Sequence, residues 1–546
     1  MFGVMLDCSR NAVVKPQKVK EFAGIIKQMG YDTLMLYTED TYEIESQPYF
    51  GHLRGKYTKQ ELKDIDKYCV EIGIELVPCI QTLAHLNQMF VWNNIYDDIN
   101  DCRDVLLVEE EKTNNLIRDM LKTLSECYTS KKIHLGMDEA YGLGDGKYKA
   151  KHGEQERFEI LNRHLHTVCD MANEYGFKPM VWSDMFVKCA RNMGLYDDCN
   201  EQKKQEFFQK AKLPENISLV YWDYYSTEKE VYDQKIKANK IFGREVCFAG
   251  GAWNWRGFAP YNAMSITRTD LAFDACRENN IDNIIITTWG DDSAECSPFA
   301  ILPTLMFAAE KIKGNTNLED IKKKFFGIVG ADFDSFMLLD KMNYPGGYHT
   351  DIYDEDIMAH KILPYKGDYT YNYAPTKYLL YNDPFMGIRD YICTEADNSY
   401  YKDMKDKLEN FDAGKYSYLF ESYIKLAEVL SVKSALGIKT RKAYLENNKD
   451  AITDLLNEYN IAINAIKAFI NAHRVRWFEE NKPHGFDVQD IRLGGIMQRL
   501  ESSKERLESF ASGEIDSIPE LEEKVLPPEI RSTFWTRSAS VNNIGI

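Results

Sequence analysis

Gln28-Met29-Gly30-Tyr31-Asp32-Thr33-Leu34-Met35-Leu36-Tyr37 holds the unit from which the fold is read. A glycine closes a helical stretch, and a short apolar run follows it. The same order returns at Glu71-Ile72-Gly73-Ile74, ahead of the run Glu75–Ile80. Working outward, comparable runs rich in Val, Ile and Leu stand at Gly3–Cys8, Thr33–Tyr37, Lys132–Met137, Lys178–Ser183, Ser218–Trp222, Val246–Gly251 and Asn283–Trp289. The gaps between them are long enough for crossover helices. Eight β-α units in about 300 residues predict an α/β fold, a (β/α)8 TIM barrel over residues 1–335. A doubly wound open sheet is the alternative, and the absence of GxGxxG after the first run weakens it.

Beyond the barrel, residues 336–396 are loop-rich and aromatic, as in Tyr344-Pro345-Gly346-Gly347-Tyr348, and read as a connector or flap. From 397 to 546 the pattern becomes mainly helical. Ile452, Leu455, Leu456, Tyr459, Ile463, Ile466 and Ile470 repeat at the 3–4 spacing of one helix face, which reads as core packing. The 546 residues carry a net charge of −18, which disfavours a polyphosphate partner, so nucleic acid is not expected. No run reaches the ~18–20 apolar residues of a membrane span, and no membrane association is expected. Met1 to Asp7 lacks a basic n-region and reads as a strand instead of a signal peptide. Twelve cysteines without a close CxxC pair read as core thiols. A cytoplasmic location is therefore expected, with a secreted form whose leader has been removed as the alternative.

In such a barrel the chemistry sits where the strands end. Those ends read Asp7-Cys8-Ser9-Arg10, Tyr37-Thr38-Glu39-Asp40, Pro78 to His85, Met137-Asp138-Glu139, Trp182-Ser183-Asp184, Tyr221-Trp222-Asp223, Trp253-Asn254-Trp255 and Trp289-Gly290-Asp291. They gather carboxylates, one Arg and five of the eight Trp. Indoles that stack on a sugar's C–H face, with carboxylates for its hydroxyls, suit carbohydrate; a single Trp would more simply fill a barrel layer. His85 and His134 stand apart, with no HxH pair, so no metal and no cofactor is expected. No GxSxG marks a serine nucleophile.

Glycoside cleavage usually needs two carboxyl groups, one to protonate the leaving oxygen and, with retention, one about 5 Å away to attack the anomeric carbon. Glu139 can supply the acid. The seventh strand carries no carboxylate at its end, and Glu245 lies at its start. The nucleophile is then expected from the substrate: the oxygen of a 2-acetamido group closing on C1 to an oxazolinium ion. Asp138 would orient the amide and stabilise the charge. Adjacent residues on a regular strand face opposite ways, but this pair sits where a strand gives way to a Gly-rich loop. The acid calls for a raised pKa from partial burial beside a second acid. A plain surface acidic pair is the commoner meaning of Asp-Glu alone.

His134-Leu135-Gly136-Met137-Asp138-Glu139-Ala140 resembles the H-x-G-x-D-E signature of the family-20 glycoside hydrolases, the β-N-acetylhexosaminidases. Leu6-Asp7-Cys8-Ser9-Arg10 is similar to that family's D-x-x-R, and Pro78 to His85 to its P-x-x-x-x-x-G-H, with Ala84 replacing Gly. Tyr221-Trp222-Asp223 resembles Y-x-D, and Trp289-Gly290-Asp291 resembles W-x-E with Asp for Glu. The resemblance covers about residues 3 to 310 and implies exo-acting removal, with retention, of terminal β-linked GlcNAc or GalNAc. It implies Glu139 as acid/base and Asp138 as the residue orienting the acetamido group. Tyr221 would bond the amide oxygen, and Trp182, Trp253 and Trp289 would wall the pocket. Arg10, Asp223 and Asp291 would hold hydroxyls, with Asp292 or Glu295 as alternatives to Asp291. The partner it implies is a glycan ending in N-acetylhexosamine.

The second strand reads Tyr37-Thr38-Glu39-Asp40 where many members have H-x-T-D-D. Asp40 is then the expected partner of His85, with Glu39 as the alternative. The α/β domain that members often place ahead of the barrel has no counterpart in this sequence. The helical C-terminal region resembles that of a bacterial subgroup acting on small glycans, and it would suit a homodimer. Rival readings are a sugar-binding barrel without catalysis, which has no use for a general acid, and a conventional two-carboxylate β-glycosidase. A chitin-active family with D-x-x-D-x-D-x-E would need Asp where Met137 stands.

Overall fold

The computed structural model describes residues 1–192, 212–291, 293–343, 345, 374–390, 393–526, 535–542 and 544. Two compact units divide the chain: residues 1–251, 268–288 and 308–314 form one, and residues 252–267, 289–307 and 315–546 the other. Much of the stretch read as a connector, including 346–373, lies outside the described residues, as does Asp292.

The first unit is a closed parallel barrel. Its strands are β1 (Phe2–Asp7), β2 (Thr33–Tyr37), β3 (Glu75–Cys79), β4 (Lys132–His134), β5 (Lys178–Trp182), β6 (Ser218–Trp222), β7 (Glu245–Gly251) and β8 (Ile284–Thr288). Each pairs with its sequence neighbours, and β8 closes on β1. Residues 132–137 are expected as one strand, yet β4 stops at His134. Gly136, Met137 and Glu139 have φ of 75°, 75° and 49°, which a strand cannot accommodate.

Between the strands run α1 (Pro16–Met29), α2 (Lys59–Ile72), α3 (Glu111–Cys127), α4 (Arg157–Glu174), α5 (Asp184–Asn192) and α6 (Lys229–Lys240). Gly30 and Gly73 end α1 and α2 in the left-handed conformation, as the quoted stretch leads one to expect. Thr58 and Glu61 close a capping box at the start of α2. One face of α1 buries Val19, Phe22, Ile25, Ile26 and Met29. Each large apolar side chain so buried contributes roughly 1.5–3 kcal/mol before entropy is counted.

In the second unit α7 (Glu395–Glu409), α8 (Ser417–Lys433), α9 (Lys449–Glu480) and α10 (Phe486–Ser512) pack in sequence, each on the next. The apolar stripe lies on α9, where Ile452, Leu455, Tyr459, Ile466 and Ile470 are buried and Leu456 and Ile463 half-buried. Among the described residues no helix is long and apolar enough to cross a membrane, and the cysteines are free thiols.

Candidate active site

The register defines one inward row at the barrel mouth: Asp7 pairs Tyr37, Tyr37 pairs Cys79, Cys79 pairs His134, and His134 pairs Met180. Trp182, two residues beyond Met180, shares that face, and its ring meets His134 at 4.3 Å between centroids. The His134 ring accepts the Gly136 N–H at 3.1 Å, and burial holds its pKa at about 3. It is a neutral wall of the site.

Past His134 the backbone turns through its left-handed residues, and Asp138 and Glu139 come to one side. Gly136 is required here, since a Cβ would lie 2.1 Å from Gln81 Oε1 and 2.7 Å from the Ile80 carbonyl oxygen. Asp138 is buried. Its Oδ1 accepts from Gln81 Nε2 at 2.8 Å, and its Oδ2 lies 3.1 Å from His85 Nε2. Burial would raise the Asp138 pKa, but the charge and hydrogen bond of His85, together with Gln81, hold it at about 2. Burial would likewise lower His85, but Asp138 pushes it up to about 9. The pair is a buried ion pair across the neutral range.

Glu139 is more open, with 41% of its side chain exposed, and its Oε2 stands 3.7 Å from His85 Nε2. The Tyr141 hydroxyl donates to Glu139 Oε1 at 3.3 Å, and Lys188 Nζ lies 3.8 Å from the Tyr141 ring centroid. Asp184, at the start of α5, accepts the Glu139 N–H at 3.1 Å. Burial first, and then the Asp138 charge, push the Asp184 carboxyl up to about 7.

This raised value has a consequence for stability. The unfolded carboxyl titrates near 3.8. An acid with a raised folded pKa supports the fold most below its unfolded value and loses that support as pH climbs toward the folded one. Asp184→Asn keeps an oxygen for the Glu139 N–H and never ionises. It should raise Tm relative to wild type by more at about pH 8 than at about pH 5. Thermal melts at the two values check this; an equal shift at both would mean an Asp184 already charged at the lower pH.

Arg10 is clamped, its Nη1 3.0 Å from Asp7 Oδ2 and its Nε 3.2 Å from Glu39 Oε1, with its guanidinium 4.9 Å from the Tyr37 ring centroid. The Tyr37 hydroxyl donates to Glu39 at 3.1 Å and accepts from Gln81 at 2.9 Å. Glu39, not Asp40, therefore stands on the side of Arg10 and His85, and burial followed by Arg10 and His85 sets its pKa. Asp40 does not meet His85. It is buried against Arg54, whose Nε lies 3.3 Å away and whose Nη2 also donates to the Ser9 carbonyl.

The expectation for Tyr221 and Asp223 also changes. Tyr221 is in register with Phe248, whose ring packs on Tyr232 of α6, and the Tyr221 ring lies on Phe248 at 5.6 Å. Tyr221 thus faces the helical layer. Its hydroxyl donates to Asp223 Oδ2 at 2.7 Å, and the same carboxylate takes Ser226 Oγ, Lys235 Nζ and the N–H groups of Tyr225 and Ser226. So engaged, Asp223 is a loop organiser with its acceptor capacity filled. By strand alternation the inward residue is Trp222, whose side chain favours the ionised form of Asp184.

Trp253, Trp289 and Asp291 belong to the second unit. Trp253 is buried, its ring stacked on Trp255 at 4.7 Å, and its backbone N–H donates to Ser265 Oγ at 2.9 Å. Trp289 is buried and Asp291 half-buried. Glu295 is buried and enclosed by Lys377 Nζ at 2.9 Å, Arg492 Nη1 at 3.2 Å and the Tyr381 hydroxyl at 3.1 Å, which makes it the centre of a structural ion cluster. Among the described residues no group of three or more His, Cys, Asp or Glu is arranged to hold a metal ion.

The residues missed in the sequence are Gln81, Asp184 and Trp222. All three lie in strand-end stretches singled out there, but an amide and a lone Asp carry no spacing signal.

Comparison with known proteins gives two family matches. Residues 2–243 match the glycosyl hydrolase family 20 catalytic domain, and residues 357–539 the glycoside hydrolase 20C C-terminal domain. Hexosaminidase D of Bos taurus is 23% identical over 362 residues, 59% of this chain and 96% of that protein. The GH20 exo-β-N-acetylglucosaminidase of Vibrio harveyi aligns with a TM-score of 0.45 at 15% identity over 62% of this chain, which spans 58% of that enzyme's chain. The β-N-acetylhexosaminidase of Bacteroides fragilis aligns with a TM-score of 0.46 at 16% identity, over 60% of this chain and 68% of that one. The two domain matches together cover more than three quarters of the sequence, and the chain belongs to glycoside hydrolase family 20, the family of the β-N-acetylhexosaminidases.

Proposed function

We propose that this chain is an exo-acting, retaining β-N-acetylhexosaminidase that removes terminal β-linked GlcNAc or GalNAc from glycans by substrate assistance. The observation that carries the reading is the asymmetry of the acid pair. Asp138 is buried and locked in its charged form by His85 and Gln81, whereas Glu139 is open and holds a carboxyl toward solvent. A fixed anion suits an amide N–H and a nearby positive charge, and an open carboxyl suits proton exchange with a leaving group and with water.

In this reading the acetamido oxygen attacks C1 while Asp138 accepts the amide N–H. The C1–aglycone bond breaks as Glu139 delivers its proton to the departing oxygen. The bicyclic oxazolinium ion is then opened by water, which gives a proton to Glu139 and forms the new C1–O bond on the original face. Arg10, held from two sides, is the hydroxyl ligand of this half of the site. Trp182 walls the pocket.

A second carboxyl near Glu139, Asp184, gives the conventional two-carboxylate route a foothold. Its raised pKa makes it a poor nucleophile below neutrality. The test is a panel of aryl β-glycosides with and without the 2-acetamido group, together with a thiazoline mimic of the bicyclic ion. Turnover confined to the acetamido sugars, and a thiazoline bound at least ~10²-fold more tightly than GlcNAc, are expected. Equal turnover of plain glucosides, with millimolar affinity for the mimic, would return the reaction to a protein nucleophile.

A further inference from the structure

Gln81 is completely buried, and each polar atom of its carboxamide is committed. Nε2 donates to Asp138 Oδ1 at 2.8 Å and to the Tyr37 hydroxyl at 2.9 Å, while Oε1 accepts the Met137 N–H at 3.2 Å. The amide orientation follows from these partners, because a carboxylate can only accept and a backbone N–H can only donate. The space it fills exists because Gly136 has no Cβ.

We infer that Gln81 is the positioning residue that sets the plane of the Asp138 carboxylate for the substrate's acetamido group. The inference rests on the reading of Asp138 given above. A carboxylate held by one oxygen can still rotate about Cβ–Cγ. Here the second oxygen is held as well, by His85 at 3.1 Å, so rotation would break one contact or the other. Gln81 also ties the backbone that carries Asp138 to its side chain, since one carboxamide grips both Met137 N–H and Asp138 Oδ1. Through Tyr37 the same amide joins Glu39, and Glu39 holds Arg10. The group that would grip sugar hydroxyls and the group that would orient the acetamido arm thus share one hydrogen-bonded frame.

The charged groups facing this frame are His85, Glu39, Arg10 and Asp7, with Asp184 and Glu139 on the next strand ends. Gln81 is the neutral member. Gln81→Glu would set a second carboxyl against Asp138, and two carboxyls in contact cannot both ionise freely. Gln81→Leu would leave Asp138 Oδ1, the Tyr37 hydroxyl and Met137 N–H without this partner.

The experiment measures kcat and KM against pH on aryl β-glycosides whose 2-acyl group is N-acetyl, N-fluoroacetyl or N-trifluoroacetyl. For wild type, kcat should fall steeply as fluorine weakens the amide oxygen. A flat wild-type series overturns the acetamido reading and this inference with it. Given a steep wild-type series, Gln81→Leu should lose about 10²-fold in kcat on the N-acetyl substrate, with KM changed by less than about 3-fold. Gln81→Glu is nearly isosteric and guards against a Leu variant that fails to fold; its acidic limb of kcat should move up by about one pH unit or more. A folded Gln81→Leu with kcat near wild type, or a Gln81→Glu with an unmoved acidic limb, would overturn the positioning role while leaving substrate assistance intact.

Discussion

Glu139→Gln should lose about 10²–10⁴-fold in kcat on glycosides with poor leaving groups, alkyl or sugar aglycones, because proton delivery in the transition state is worth that much. Aryl glycosides with strongly acidic phenols need little protonation, and their first step should fall far less. With such substrates the second step becomes limiting, since water then lacks its base. Added azide, which needs none, should restore turnover and yield the β-glycosyl azide. Steady-state rates across a leaving-group series, with product analysis by NMR, check the three parts together. A uniform loss across the series would remove Glu139 from the acid role. The geometry leads to this sharp dependence: the carboxyl is 41% exposed, within 3.3 Å of the Tyr141 hydroxyl and 3.7 Å of His85, and so is placed for exchange.

Asp138→Asn should cost about 10²–10³-fold in kcat with a smaller change in KM, the magnitude for removing one preorganised charge or donor at a developing charge. The side chain keeps its shape, so the loss reports the charge and not a cavity. Its stability signature can be derived separately. His85 rises from 6.5 to about 9 in the folded protein, so its contribution is complete below 6.5 and disappears as pH rises through 9. Asp138 falls from 3.8 to about 2, so its contribution is complete above 3.8 and disappears as pH falls through 2. The ion pair is therefore fully stabilising between about pH 4 and 6.5, and the Tm deficit of Asp138→Asn should be largest there and shrink toward pH 9. A deficit that grows with pH would contradict the pairing. A kinetic change confined to KM would leave Asp138 as a simple hydroxyl contact.

The barrel is legible in the sequence because apolar runs alternate with helical stretches, several of them closed by a glycine, and the bounds of β2 and β6 fall where the runs do. Asp138, Glu139, His85 and Arg10 are legible because their side chains carry the charges and the structure gathers them at one mouth. The ends of strands are less so. Whether Tyr221 or Trp222 points inward turns on strand parity, and a Y-x-D pattern looks the same in either phase; the registered pair with Phe248 settles it outward. Asp40 is claimed by Arg54, which lies in a loop whose path no local pattern reveals. Glu295 is enclosed by Lys377 and Arg492, distant in sequence, and no local spacing signals that cluster. Gln81 escapes notice because a neutral amide has no chemistry of its own, and its importance comes from what it holds.

The turn after His134 carries a last consequence. Residues joining a strand to a helix ordinarily absorb insertions and deletions, since their course is loosely specified. Here three left-handed residues, one of them a glycine with a side chain seated above it, specify every step from 136 to 139. One residue more or fewer would rotate both acids out of phase with His85 and Gln81. The segment is in effect a gauge of fixed length, closed to indels. New specificity would have to be built on the other loops of the mouth.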